Sequence, residues 1–189
     1  MGPAISAKRK IFARLSIAMG NAVQIAGMVA AYFALTASRS ANLPALAVAT
    51  MILAWVLLYL CSHAIAHWLV GRLVGIRFLF YTVGGTGNPD GWPWGVRWVF
   101  EHLPFFGVQT DKVSMESASP GAKALMWSAG VTSSAIIPTF AALCAWLWAV
   151  PRSGWFCLFA SGWALATLAN NWTSRTGDYS KARRALGHS

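Results

Sequence analysis

The chain has 189 residues, of which 57% are hydrophobic and 11% charged, with a formal net charge of +10 and a mean hydropathy of +0.52. So few polar groups cannot solvate a water-soluble globule, which leaves an integral membrane protein built as one small bundle. Nor does the positive charge describe a nucleic-acid surface, because the cations are divided among the edges of apolar stretches and make no groove lined with exposed aromatics; anionic lipid headgroups account for them.

Four stretches, residues 16–37, 44–70, 123–150 and 154–173, reach or nearly reach the ~20 helical residues needed to cross ~30 Å of hydrocarbon, so the expected architecture is an all-α bundle of four transmembrane helices. The first follows Lys8, Arg9, Lys10 and Arg14 but has no convincing cleavage site, and it is read as a retained anchor. Arg39 alone lies in the first connection and Arg152 alone between the third and fourth stretches. Arg72, Arg77, Arg97 and Lys112 follow the second stretch, and Arg175, Lys181, Arg183 and Arg184 follow the fourth. Both termini and the middle loop are therefore expected on the cytoplasmic side, with a bacterial inner membrane as the expected location.

The second stretch carries His63-Ala64-Ile65-Ala66-His67. Residues four apart in a helix lie about 400° apart in rotation, so the two imidazoles share one face and can take one divalent metal between them. Ionisable groups at membrane depth are candidates for function by default. A third ligand is available if the chain beyond the fourth stretch folds Asp178 back, giving two histidines, one carboxylate and an open position, as catalytic zinc sites have.

Residues 71–122 form the least regular part, expected at the cytoplasmic side or the interface. Gly84-Gly85-Thr86-Gly87-Asn88-Pro89-Asp90-Gly91 is turn-rich and lacks both the lysine of a phosphate loop and the spacing of a dinucleotide fingerprint. Trp92, Trp94 and Trp98 follow at spacings suited to the headgroup region. Residues 76–83 and 105–113 read as two short strands, a hairpin within the loop. Cys61, Cys144 and Cys157 lie in apolar stretches without paired spacing, so no disulfide framework is implied.

Taken together, these motifs resemble the site-2 protease family of intramembrane zinc metalloproteases, over most of the chain from about residue 44 to 186. That family carries HExxH on a transmembrane helix, where this chain has His63 to His67, and an asparagine-rich segment ending in Leu-Asp-Gly, where it has Asn170-Asn171-Trp172-Thr173-Ser174-Arg175-Thr176-Gly177-Asp178-Tyr179. Ser119-Pro120-Gly121-Ala122-Lys123-Ala124 with Ala129-Gly130-Val131 resembles the entry to the family's next core helix, and Phe105-Phe106-Gly107 the short loop before it.

The departures are chemical. Ala64 stands where the family's glutamate moves protons, and Val131, Thr173, Gly177 and Tyr179 replace a proline, a proline, a leucine and a glycine. The resemblance implies His63, His67 and Asp178 as ligands for zinc or another divalent metal, without peptide hydrolysis.

The functional expectation is a proteolytically inactive accessory subunit or assembly factor of a larger membrane complex, with membrane lipids and other subunits' transmembrane helices as partners. Asn170, Asn171, Gly130 and Ser133 are the expected binding residues, since small side chains admit a close helix. Two alternatives stand: a protease in which Glu101 or Glu116 supplies the base, and a pigment- or haem-binding subunit using His63, His67 or His102.

Overall fold

The computed structural model describes residues 10–86 and 93–187. Trp92 and most of the glycine-rich turn, residues 87–91, lie outside the described residues. Strand β1 (Ile11–Leu15) leads into α1 (Ile17–Arg39), whose N-cap Ser16 accepts from the amide of Met19. The next helix, α2 (Pro44–Leu73), opens with proline in its first turn, where a missing N–H costs nothing. It ends where Gly75, at φ 87°, takes a left-handed turn and the Ile76 amide reaches back to the Gly71 carbonyl at 2.8 Å.

That turn delivers β2 (Phe78–Gly84), followed by α3 (Trp94–His102), β3 (Phe105–Thr110) and α4 (Lys112–Ser117). The chain then runs through α5 (Pro120–Leu147) and α6 (Ser153–Thr173) to α7 (Asp178–Ala185). Helices α1, α2 and α5 are long and apolar enough to cross a membrane. The fourth expected span folds as the 21-residue α6, whose serines, glycines, tryptophans and paired asparagines dilute its hydropathy.

Small residues allow the helices to approach. Ala31, Ala47, Ala54, Ala141, Ala142, Ala145 and Ala160 pack with Met51, Trp55 and Phe156 in one buried cluster, and a side chain at Gly27 would collide with the sulfur of Cys61. Large apolar side chains such as Phe33, Phe140 and Leu165 point outward, as lipid-facing residues do.

The described part of the middle loop is more ordered than its composition implies. Its two expected strands pair antiparallel, with Phe78 opposite Thr110 and Gly84 opposite Phe105. β1 adds a third strand on the far side of β2, with Ile11 opposite Gly84 and Leu15 opposite Tyr81, in a stretch the sequence presents only as a basic lead-in. Trp94 and Trp98 are exposed on α3, while Phe100 is buried. Because β1 pairs with β2 and α7 packs on α5, the chain's first strand, its middle loop and its last helix gather at one end of the bundle.

Tyr81 joins the sheet to α1. Its ring fills the space over Gly20, where a Cβ would collide with it, and its hydroxyl donates to Asn21 Oδ1 at 2.7 Å. Burial pushes the phenol up to about 12. The folded state thus favours the protonated form; this contribution is complete below the unfolded value of about 10 and is lost as the pH rises toward 12. Alkaline unfolding should steepen in that window by roughly 2–3 kcal/mol, and Tyr81→Phe should remove this dependence, as read by ultraviolet titration beside circular dichroism. Gly20→Val should lower stability by about 1–3 kcal/mol, measured as thermal unfolding in detergent.

Candidate metal centre

His63 and His67 lie on the half of α2 nearest the sheet, and α7 brings Asp178 to them from more than a hundred residues away in sequence. The atoms that meet are His63 Nε2, His67 Nε2 and Asp178 Oδ2, and all three separations are 3.2 Å. Asp178 and His67 are buried, with His63 partly exposed to the adjoining cavity.

The protons on the far side of each ring follow from its partners. His67 Nδ1 stands 2.6 Å from the Met126 carbonyl oxygen, which can only accept, so Nδ1 carries the hydrogen and Nε2 of the neutral ring presents a lone pair. Ser134 Oγ donates to the Gly130 carbonyl and therefore accepts from His63 Nδ1 at 3.0 Å, which again leaves Nε2 as the lone-pair nitrogen. Three electron-pair donors thus face one another and require a cation or a proton among them.

Their spacing fits a metal. Donor atoms about 2.0–2.1 Å from a tetrahedral zinc stand roughly 3.3 Å from one another, close to the observed triangle. Each imidazole is also oriented through its other nitrogen, the usual outer-shell arrangement of metal-binding histidines. When a proton rather than a metal sits on an Nε2, burial would raise the Asp178 carboxyl, but the His67 charge, the hydrogen bonds from His63 and His67, and Lys181 together hold it well below the usual carboxylate range. The carboxylate is ionised in either case.

The neighbouring elements are shaped around this triangle. Gly130 on α5 abuts the His67 ring so closely that any Cβ there would strike Nε2. Ser133 Oγ donates to the Ser62 carbonyl at 3.1 Å and to that of Gly130 at 2.7 Å, tying α5 to α2. Asn171 Oδ1 accepts from the Asp178 amide at 3.0 Å and so fixes the start of α7. Gly177 is needed there because a side chain would run into the Asn171 backbone. Asn170 is buried beside it, with no hydrogen-bond partner for its Nδ2 among the described residues.

Several contributors are silent in the sequence. Lys181 donates to Asp178 Oδ1 at 2.9 Å and lies over the Trp127 ring at 4.4 Å; its place three residues after Asp178 was the available clue, since that spacing shares a helix face. Gln24 of α1 is fully buried and accepts from the Ile65 amide at 3.0 Å, between the two histidines. The Met126 carbonyl has no sequence signature.

A cavity of about 280 Å³ opens on the triangle. Tyr59, Phe105, Met126, Trp127 and Val131 give it apolar walls, and Gln109, Asn171 and Thr176 add polar groups. Among the described residues lining it, Asp178 is the sole acid. Glu101 pairs with Arg97 at 2.8 Å and Glu116 with Lys112 at 3.8 Å, and neither reaches the cavity. His102 is likewise elsewhere, its Nδ1 at 2.8 Å from the Trp98 carbonyl.

The chain is thus a membrane protein with a buried His/His/Asp cluster that resembles a metal-binding site and lacks an obvious catalytic glutamate. Comparison with known protein families, with curated proteins and with solved structures finds no match.

Gly130→Val should displace the His67 imidazole. We expect divalent-metal affinity to fall about 10–100-fold, measured by competition with a chromophoric chelator, while circular dichroism retains the helical signal.

Proposed function

We propose that this chain is a proteolytically inactive, site-2-protease-like membrane subunit that keeps a divalent metal, zinc by donor chemistry, and serves as an accessory or assembly factor of a larger membrane complex. One observation carries the reading: three oriented metal donors 3.2 Å apart in a cavity where Ala64 and the other described residues of the wall offer no general base. The metal would supply Lewis acidity and a fixed positive charge at that point. His63, His67 and Asp178 would hold it, Met126, Ser134 and Asn171 would orient them, and Lys181 would balance the carboxylate.

A protease with a substituted base is less well supported, because Glu101 and Glu116 are paired at the surface away from the triangle. A pigment or haem subunit is also less well supported, because both Nε2 atoms point at the same carboxylate oxygen and leave no separate axial ligand for a macrocycle. Partner helices would lie against the apolar outer faces of α1, α5 and α6, with lipid elsewhere. The clustering of Arg72, Arg77 and the residues after α6 at one end favours a cytoplasmic position for that end, both termini included.

Purification from native membranes, followed by subunit identification and metal analysis, tests the reading. We expect about one divalent metal per chain, a fixed set of co-purifying membrane subunits and no cleavage of membrane-spanning peptides. Cleavage that disappears in His63→Ala would overturn it.

A further inference from the structure

The charges around the triangle do not balance once a divalent cation is held there. The two imidazoles are neutral donors, Asp178 supplies one negative charge, and Lys181, 2.9 Å from the other carboxylate oxygen, returns one positive charge. No second acid lines the cavity among the described residues. A divalent metal would therefore present close to two uncompensated charges to a largely apolar pocket, where such charge is costly. A ligand that brings negative charge to the site would offset this, and beyond it the walls at Tyr59, Met126 and Trp127 favour an apolar body.

From these features we infer that the cavity beside His63, His67 and Asp178 is a binding site for an amphiphilic monocarboxylate, whose carboxylate meets the metal and Lys181 and whose chain lies along the aromatic walls. The inference rests on the metal-site reading above. Lys181 is suited to the role because its ammonium has three donors and gives one to Asp178, while its stem is steadied over Trp127. Two sources share this chemistry, a lipid-derived acid and the C-terminal carboxylate of an apolar peptide.

The test uses the full chain in lipid nanodiscs, loaded with cobalt as a spectroscopic substitute. Cobalt bands that vanish in His67→Ala report the metal site itself. Adding octanoate should then shift those bands, acetate should need at least about tenfold more ligand because it buries no chain, and octanol should leave them unchanged. Lys181→Gln should weaken octanoate about tenfold or more, read against that variant's own octanoate-free cobalt bands, and Lys181→Arg should retain most of the affinity. An apolar tetrapeptide with a free C-terminus, run beside its amide, separates the sources: a response to the acid form tighter than to octanoate assigns a peptide terminus, and a weaker one assigns a lipid-derived acid. Cobalt bands that ignore octanoate and the peptide acid alike would overturn this inference and leave the metal site standing. Absence of His67-dependent cobalt binding would overturn both.

Discussion

Two imidazole nitrogens and a carboxylate oxygen, each 3.2 Å from the other two, repel one another unless positive charge lies among them. Assembling such a triangle in a poorly hydrated interior is costly, since each group gives up water. The helices that pay no attention to each other in sequence are brought together around it: α2 supplies two donors on one face, α7 the third, and α5 the space and the hydrogen-bond acceptors that set the ring orientations.

α5 does this largely with what its side chains omit. The absence of a side chain at Gly130 lets His67 enter, and the buried Met126 carbonyl accepts from its Nδ1. Gly130 and Ser133 on this helix face α2, within the bundle. The same economy operates at the start of α7. Gly177 passes against the Asn171 backbone, and Tyr179 reaches Thr132 on α5 with its hydroxyl at 2.9 Å. Both residues help to dock one short helix.

Much of this was legible in the residues. The i,i+4 histidines need only helical periodicity to share a face, and the apolar lengths give α1, α2 and α5 to within a few residues. Strands β2 and β3 follow from β-branched and aromatic runs bounded by turn residues. β1 was not legible, because five residues that include Arg14 and follow Lys8, Arg9 and Lys10 carry no alternation strong enough to separate a strand from a basic leader; its identity comes from pairing with β2. Nor was the place of Lys181 over Trp127, which depends on where α7 docks, or the Met126 carbonyl, since backbone acceptors are the same at every position. Long-range packing decides these features, and local sequence does not encode it.

Ala64 and the three donors pull the functional reading in opposite directions: one removes proton transfer, the others keep the apparatus for a metal. Both fit the proposed reading, in which a metal would hold structure or ligand rather than hydrolyse peptides. X-ray absorption at the zinc edge, on protein purified without chelators, tests the central claim most directly. The account predicts one zinc per chain with a first shell of nitrogen and oxygen at about 2.0–2.1 Å and the multiple scattering of two imidazoles, lost in Asp178→Ala or His67→Ala. A first shell without imidazole, or one unchanged in both variants, would contradict it.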